Sequence, residues 1–202
     1  MDIGLNQLEE SWIFRIRLAS SMEDLEQIFR LRHQVFAEEL HWVPRAISGL
    51  EQDQYDNSAV LIGAFNLDGA VVGTIRILFR PDSFMLEREF SAFLSGCPKG
   101  QMAPAEMTRL CVDSRLRRSD LGRRVSQALI CAAYVECLSR TAYEADFVST
   151  PAFIYSLRER GFPCIPFGNA KTLSCGVKSL AARMYWGRLD VFEVFGSPNS
   201  RA

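Results

Sequence analysis

The chain has 202 residues, of which 48% are apolar and 23% are charged, and its formal net charge is −1 at pH 7. A chain so close to neutral lacks the basic excess of a nucleic-acid-binding protein, and it contains no uninterrupted run of about 18 apolar residues that could span a membrane. The length predicts a single domain over residues 1–202 with a sizeable core.

The cysteine and histidine residues indicate neither a metal site nor a disulfide framework. The six cysteines form no C-x-x-C pair, and only two histidines, His33 and His41, are present. Reduced thiols are typical of a cytoplasmic protein, and the first residues, "MDIGLNQLEESW", lack the continuous apolar stretch of a signal peptide. We therefore expect a cytoplasmic protein with no metal and no permanently bound cofactor.

The first half of the chain predicts a strand, a helix and a hairpin. Residues 13–18, "IFRIRL", alternate apolar and basic residues as a strand does. A helix follows over residues 20–40, where a serine can serve as N-cap and apolar residues recur at helical spacing. After an aperiodic loop, β-branched runs at 59–66 and 70–80 flank the turn sequence "LDG" and predict a β-hairpin.

The second half of the chain alternates helices and strands. Helices are predicted at 84–95, 121–140 and 151–161, and strands at 105–113, 145–150 and 188–196. This order predicts an α/β (α+β) fold with a mixed, mostly antiparallel sheet flanked by helices and one βαβ crossover. The sequence contains no G-x-G-x-x-G or P-loop motif, so a doubly wound nucleotide-binding fold is not supported.

The stretch "GLEQDQYDN", residues 49–57, contains three acids and no basic residue. The acids are Glu51, Asp53 and Asp56, and the aromatic residues Trp42 and Tyr55 are close by in sequence. Acids gathered in this way form either an exposed loop without a role or a receptor for a cation. The choice between the two depends on the basic residues of the rest of the chain.

Three arginines occupy positions that favour pairing with acids. Arg32 falls on the apolar stripe of the first helix, and Arg76 lies inside the apolar run "VVGTIRILF". Arg109 follows Glu106 by three residues in one strand, so their side chains point to opposite faces unless a bulge intervenes. Each arginine alone has a solvated alternative. Together they predict a buried or cleft-lining ion network, and because such networks cost desolvation they raise the odds of a site.

A basic stretch, "RLRRSDLGRR" at residues 115–124, precedes the long helix. Backbone amides at a helix N-terminus and nearby guanidinium groups form an anion site, suited to the phosphates of a pantetheine carrier. The alternative is a solvated helix start. The candidate anion contacts are Arg115, Arg117, Arg118, Arg123 and Arg124.

Four motifs in order, "LRHQVFAEELHW", "EQDQYD", "TIR" and "EMTRLCVD", resemble the acyl-homoserine-lactone synthase family. The resemblance covers residues 25–165 and includes "FVST" followed by a helix. The residues that match the family signature are Arg32, Phe36, Trp42, Asp53, Asp56, Arg76, Glu106 and Arg109. The pattern departs from the family fold at Arg118–Arg123, where the phosphate-binding motif is only loosely kept, and the C-terminal third matches nothing specific.

The resemblance implies a GNAT-like fold with a V-shaped cleft for an acyl-pantetheine arm. It also implies a cytoplasmic acyltransferase that makes a quorum-sensing autoinducer. The acyl group passes from a thioester on acyl carrier protein or coenzyme A to the amine of S-adenosylmethionine, followed by lactone closure and release of methylthioadenosine. We expect a monomer or weak dimer with no nucleic-acid partner and no membrane span.

The resemblance and the chemistry of S-adenosylmethionine assign roles to these residues. Acids can hold the sulfonium and ammonium groups, aromatic rings can face them, and an arginine can orient the carboxylate. Glu106 is the candidate general base for the amine proton, directly or through water. The catalytic set is Glu106, Asp53, Asp56, Arg76 and Arg109, and the substrate-binding set is Arg32, Phe36, Trp42, Ser149 and Thr150.

Two other functions stay open. An N-acyl amino acid synthase shares the fold and some of the arginine and acid positions. A non-catalytic GNAT-like module that binds an acyl carrier is the second alternative. Trp42 and the close pair Asp53 and Asp56 favour the lactone synthase over the first, and the intact set of acids and arginines argues against the second.

Overall fold

A computed structural model describes residues 14–190 and residue 194. Contacts between Cα atoms divide the chain into two compact units, one of residues 1–77 and 109–133 and one of residues 78–108 and 134–202. The prediction of a single domain over residues 1–202 stays a prediction. Within the described residues, no helix is long and apolar enough to cross a membrane.

Seven strands are described, and their hydrogen-bonded order is β1-β2-β3-β4-β5-β7-β6. The strands are β1 (Phe14–Leu18), β2 (Val60–Asn66), β3 (Val71–Phe79), β4 (Ala105–Val112), β5 (Glu144–Ser149), β6 (Cys164–Thr172) and β7 (Lys178–Tyr185). The helices are α1 (Met22–Arg32), α2 (Ser114–Arg117), α3 (Asp120–Ser139) and α4 (Pro151–Glu159). Four strand pairs are antiparallel, whereas β4 and β5 are parallel, so the predicted mixed sheet with one crossover is confirmed.

The pairing of β4 with β5 is short. It joins Ala105 to Ala145 and Glu106 to Asp146, although β4 has eight residues and β5 has six. A sheet in which two parallel strands pair over so few residues has room to open beyond that point.

In the first unit, α1 packs its apolar face against strands β2 and β3 of the sheet. The helix begins after Ser21, whose Oγ accepts a hydrogen bond from the Asp24 N–H at 3.1 Å, and acids occupy its first turn. Ile28 and Phe29 of the helix and Leu61 and Phe65 of β2 belong to one buried cluster. Helical structure continues as a π-helix over His33–Glu39, so the predicted helix at 20–40 is present but changes its hydrogen-bonding pattern.

In the first unit, α3 also packs closely on β3. A Cβ atom added to Gly73 would come within 2.8 Å of the Val125 side chain and within 3.2 Å of the Cys111 carbonyl oxygen. Only a glycine lets the strand and helix approach so closely. The helix therefore begins close to the end of β4, next to the basic segment.

In the second unit, the predicted helix at 84–95 is wrong. Two short 3₁₀ turns, Met85–Glu87 and Ser91–Phe93, occupy this stretch. Phe84, Met85 and Leu86 are all buried, which a helix with one apolar face cannot achieve for three consecutive residues. The segment therefore follows an irregular path that buries every apolar side chain.

A hairpin of β6 and β7 in the second unit was not predicted. The strands pair antiparallel, with a register shift between Phe167 and Lys171. The predicted strand at 188–196 is not formed by its described residues: Arg188 ends a 3₁₀ turn, and the Val194 N–H donates to the Asp190 carbonyl at 3.1 Å. Residues 191–193 and 195–196 lie outside the described part of the chain.

Candidate active site

The acidic stretch folds into a short 3₁₀ turn, Gln54–Asn57, in which two acids act as caps. Asp53 Oδ1 accepts a hydrogen bond from the Tyr55 N–H at 3.0 Å, and Asp56 Oδ2 accepts one from the Asp53 N–H at 2.8 Å. Because each carboxylate is held by a backbone amide, its direction is fixed before any charged partner arrives. The stretch is therefore not a loose solvated loop.

Three acids and three arginines of the first unit form a closed ring of alternating charge, which we call the six-ion ring. Each acid bonds two arginines and each arginine bonds two acids. Going round the ring, the members are Arg32, Glu51, Arg109, Asp53, Arg76 and Asp56. The closing N···O distances lie between 2.5 and 3.0 Å. The predicted burial and ion pairing of the three arginines are thus confirmed.

Burial and pairing act in opposite directions on the ionisation of the ring. The Arg32 and Arg76 side chains are 0% exposed. Burial alone would lower the pKa of Arg32, but its hydrogen bond to Asp56 and its attraction to Glu51 raise it. Burial likewise favours a higher pKa for Glu51 and Asp56, yet the arginines hold both carboxyl pKa values below their usual range. Arg32, Glu51 and Asp56 are therefore charged at neutral pH.

Arg109 reaches the ring because its backbone leaves the regular strand conformation. Its φ is +53°, in the left-handed region, which costs a non-glycine residue about 1 kcal/mol. Such a residue breaks the two-residue alternation of side-chain direction in β4. Strain at this position points to function, because a packing role alone would not require it.

Glu106 lies in the second unit and is fully buried. Its two carboxylate oxygens accept hydrogen bonds from the Met85 N–H at 2.7 Å and the Leu86 N–H at 3.0 Å. These amides fix the carboxylate and offset part of the cost of burying it. The role of Glu106 as a general base stays a prediction.

The aromatic candidates stand beside the six-ion ring in the first unit. Phe36 is buried, Trp42 is 39% exposed, and their ring centroids are 6.0 Å apart. The Phe36 carbonyl accepts a hydrogen bond from the backbone N–H of Trp42 at 2.8 Å, so the π-helix fixes the position of the Trp42 backbone. The Arg109 guanidinium carbon lies 5.8 Å from the Phe36 ring centroid, so this ring already faces a cation of the protein.

The basic stretch is less basic in three dimensions than in sequence. Three of its arginines pair with acids: Arg115 with Asp113 at 2.6 Å, Arg117 with Glu39 at 2.7 Å, and Arg123 with Asp120 at 2.5 Å. Within residues 14–190, Arg118 and Arg124 form no ion pair. These two are the stronger candidates for binding an external anion.

The start of α3 next to them is tightly built. The Gly122 N–H donates to the Ser119 Oγ at 3.1 Å, and a Cβ atom at Gly122 would lie 2.1 Å from the Leu116 carbonyl oxygen. No other residue fits there without moving the backbone. Gly122 therefore shapes the turn that presents Arg118 and Arg124.

Ser149 and Thr150 lie where β5 passes into α4 in the second unit. Thr150 is the N-cap of α4, and its Oγ1 accepts the Phe153 N–H at 3.3 Å. Its hydroxyl thus has a structural partner, and Ser149 is half-buried beside it. Their assignment as substrate-binding residues stays a prediction.

The cysteines offer no obvious nucleophile. All six are free thiols. Burial raises the pKa of Cys111 and of Cys137 to about 12 and that of Cys164 to about 11, so these thiols are protonated at neutral pH. A protonated, buried thiol is a poor nucleophile, so these three cysteines are not candidates for carrying the acyl group.

Glu51 is the site residue that the sequence-based set of catalytic and substrate-binding residues omitted. It accepts hydrogen bonds from Arg32 at 2.5 Å and from Arg109 at 2.8 and 3.0 Å. The signal that could have found it is the acidic stretch itself, because Glu51 is the third acid beside Asp53 and Asp56. Without Glu51 the six-ion ring would be open.

Comparison with known proteins agrees with this site. The family model for autoinducer synthases matches residues 17–152, which include every member of the six-ion ring. An acyl-homoserine-lactone synthase of Agrobacterium fabrum is 32% identical over 144 residues, covering 69% of this chain and 68% of that protein.

Two solved structures share the fold. A CoA-dependent acyl-homoserine lactone synthase, BjaI, solved with SAM and isopentyl-CoA, has a TM-score of 0.75 at 28% identity, covering 92% of this chain and 91% of that one. The acyl-homoserine-lactone synthase LasI has a TM-score of 0.78 at 22% identity, covering 91% and 95%, and shows the fold alone. The chain belongs to the autoinducer synthase family and is an acyltransferase.

Proposed function

We propose that the chain transfers an acyl group from a thioester to the amine of S-adenosylmethionine, closes the lactone and releases methylthioadenosine. The observation that carries this proposal is the six-ion ring, because all its members except Glu51 are signature residues of the family. The solved relative bound to SAM and isopentyl-CoA supports both substrate classes. The acyl donor is a thioester of coenzyme A or of acyl carrier protein.

The ring suits a substrate that carries charges of both signs. Its carboxylates attract the sulfonium and ammonium groups, and an arginine binds the carboxylate at two points. Asp53 is the most accessible acid of the ring, with a side chain 23% exposed, so it is our candidate for the ammonium contact. Because Asp53 already binds Arg76 and Arg109, the substrate shares this carboxylate with them.

The reaction has two bond-forming steps. The neutral amine attacks the thioester carbonyl, the C–S bond breaks, and the amine proton passes to a base, for which Glu106 is our candidate. The carboxylate oxygen of the bound product then attacks its own γ-carbon. The C–S bond of the sulfonium breaks, and methylthioadenosine leaves as a neutral thioether.

The remaining assignments are proposals of the same kind. Phe36 and Trp42 face the substrate cation, Ser149 and Thr150 contact substrate, and the segment from Arg115 to Arg124 contacts the donor. We further propose a single cytoplasmic domain, a monomer or weak dimer, with no cofactor bound permanently.

Mass spectrometry of a reaction mixture tests the function. The purified chain is incubated with S-adenosylmethionine, a mixture of free amino acids, and either a series of acyl-CoA thioesters or the matching acyl carrier protein thioesters. We expect methylthioadenosine and an acyl-homoserine lactone in equal amounts with one donor class. An N-acyl amino acid without methylthioadenosine would instead support the related amino acid synthase, and no turnover with any donor would contradict the proposal.

Ionic strength is expected to raise the Michaelis constant for the acyl donor. Arg118 and Arg124 have no internal ion pair among the described residues, so they can meet the anionic donor at an exposed surface where salt screens attraction. We expect Arg124→Glu to raise the donor Michaelis constant about tenfold, as loss of a charge-assisted contact predicts, and that for S-adenosylmethionine less than twofold. Steady-state kinetics at two salt concentrations, with each substrate varied, measures both.

Arg158→Glu is the matched control, because Arg158 is an exposed arginine of α4 outside the basic stretch. Arg117→Glu is a less clean test, since it also sets two acids against each other at Glu39. Equal salt sensitivity for both substrates, with no effect of Arg124→Glu, would leave the segment an ordinary solvated helix start.

A further inference from the structure

The loop of residues 40–50, which we call the Trp42 loop, is hydrogen-bonded to the first helical segment at its start, in its middle and just past its end. At its start, the Trp42 and Val43 N–H groups donate to the Phe36 carbonyl at 2.8 and 3.3 Å. Just past its end, the Glu51 N–H donates to the Phe29 carbonyl at 3.0 Å. In its middle, the Ala46 N–H donates to Nε2 of His33 at 3.2 Å.

The middle hydrogen bond differs in that a helix side chain, His33, accepts it, whereas at the start of the loop the helix contributes only backbone carbonyls, including that of Ala37 to His41 Nδ1. His33 is only 6% exposed, and it directly follows Arg32 of the six-ion ring. The Ala46 amide is half-buried, so losing its acceptor costs free energy, and the imidazole therefore helps to fix the position of the loop on the helix. The loop carries Trp42 at one end and leads into Glu51 at the other, so this tie affects two residues of the site.

The protonation state of His33 follows from the donor it meets. Since a backbone N–H can only donate, Nε2 must accept, and the ring is neutral with its proton on Nδ1. Nδ1 lies 3.4 Å from the Glu38 carboxylate. A second proton would set an N–H of the ring against the N–H of Ala46, and attraction to Glu38 would then favour a different ring position.

Few charged groups surround this histidine. Glu38 is the one ionised side chain that the described residues place within 4 Å of its ring nitrogens. Arg45 is the charged neighbour of Ala46 in the Trp42 loop, and Arg32, the neighbour in the helix, is engaged by Glu51 and Asp56. A second proton, on Nε2, would therefore be repelled by the N–H of Ala46. The attraction of Glu38 acts at the other nitrogen, Nδ1, and does not remove this repulsion.

We propose that His33 is a positioning residue whose neutral ring holds the Trp42 loop in place, and that protonation of the ring releases the loop. Substrate affinity then falls in acid for a reason separate from the chemistry of the amine. The inference about substrate rests on the proposed function, in which Trp42 faces S-adenosylmethionine. The inference about the loop rests on the contacts of His33 alone.

The test uses three variants of the full chain. His33→Gln replaces the imidazole with a side chain whose oxygen can accept the Ala46 N–H at every pH. His33→Leu removes the acceptor and fills its place with an apolar side chain. His41→Gln is the matched control, because His41 is the other histidine and its Nδ1 contacts the Ala37 carbonyl instead.

Fluorine NMR of protein labelled with 5-fluorotryptophan reports on the loop without any substrate. The resonance that disappears in Trp42→Phe belongs to Trp42. Between about pH 8 and pH 5, where imidazoles change charge, we expect this resonance to titrate in the original chain and in His41→Gln. It should stay constant in His33→Gln. A titration unchanged in His33→Gln, or absent from the original chain, would overturn the proposal.

Kinetics with S-adenosylmethionine then connects the loop to function. At pH 7.5 we expect His33→Leu to raise the Michaelis constant for S-adenosylmethionine about five- to tenfold, as loss of one half-buried hydrogen bond predicts, with turnover changed less than twofold. His33→Gln should restore the constant to within about twofold and lose its rise in acid. Equal losses in turnover for both variants would mean a general structural role. If no methylthioadenosine forms in any variant, the proposed function fails, while the fluorine titration still decides the role of His33.

Discussion

Asp56→Asn is expected to lower the thermal midpoint of unfolding by about 10 °C. The Asp56 side chain is 1% exposed and accepts hydrogen bonds from Arg32 at 2.6 and 3.1 Å and from Arg76 at 2.9 Å. Asparagine replaces one acceptor oxygen with a donor and leaves buried arginine charge uncompensated. Removing one partner of a buried ion pair costs about 3–5 kcal/mol, and a chain of this length loses about 2–4 °C per kcal/mol.

Differential scanning calorimetry measures this shift, with Asp68→Asn as the control at an exposed turn, where less than about 1 °C is expected. The effect should also depend on pH. Because the folded-state pKa of Asp56 is lowered, its contribution is present above the pKa of the unfolded chain and is lost as pH falls through the folded value. The difference between the two proteins should therefore shrink in acid. A midpoint within 2 °C of the original at pH 7 would mean that the ring tolerates an uncompensated arginine.

Asp53→Asn is expected to lower turnover at least about 100-fold while shifting the midpoint less than half as much as Asp56→Asn. Asp53 is more exposed, and asparagine can keep the bond from the Tyr55 N–H. What is lost is the negative charge that we assign to the substrate ammonium, and removing one preorganised polar contact of a reacting group typically costs a factor of 10²–10³. Release of methylthioadenosine, followed by chromatography, gives the rate.

Gln54→Ala is the matched control for Asp53→Asn, because Gln54 is an exposed neutral residue of the same turn. It should keep turnover within about twofold. Near-normal turnover in Asp53→Asn would remove the assignment of this acid to the substrate cation. A collapse of the midpoint in Asp53→Asn would instead show that the carboxylate serves stability first.

The comparison of Asp53 with Asp56 shows what the sequence does not reveal. From the sequence, both acids belong to one loop, and replacing either should spare the fold. The structure separates them, because Asp56 lies between two buried arginines and Asp53 faces partly outward. Burial of a loop residue depends on partners about 20 residues away in the chain, which local periodicity cannot report.

Arg32 was predictable, since it interrupts a helical apolar pattern whose period fixes the direction of its side chain. Arg76 was predictable because it lies inside a continuous apolar run, where a buried arginine needs an acid as partner. The position of Arg109 in the ring could be predicted only if a break in the strand was assumed. Its backbone is left-handed, and no neighbouring residue type indicates this. The number of arginines in the basic stretch that are available to an external anion was overestimated for a related reason. Arg117 pairs with Glu39, which is 78 positions away in sequence.

The main elements of the fold could be predicted up to α4, with the exception of residues 84–95. The β6-β7 hairpin could not, because Pro166, Gly168 and the register shift beyond Phe167 interrupt the alternation of apolar and polar residues in β6. A strand that is largely exposed and irregular does not show the pattern by which strands are recognised. Its place in the sheet is instead determined by pairing with β7.

The alternating charges of the six-ion ring also determine how strongly the ring attracts a charged substrate at long range. Three positive and three negative charges in strict alternation sum to zero, and their dipoles largely cancel around the ring. The electrostatic potential of such an arrangement decays much faster with distance than that of a single charge. After a few ångströms of solvent this potential is close to zero. A cation approaching the ring is therefore not drawn in from a distance, and it meets strong local charges only on contact. The ring itself therefore recognises a charged substrate only at close range.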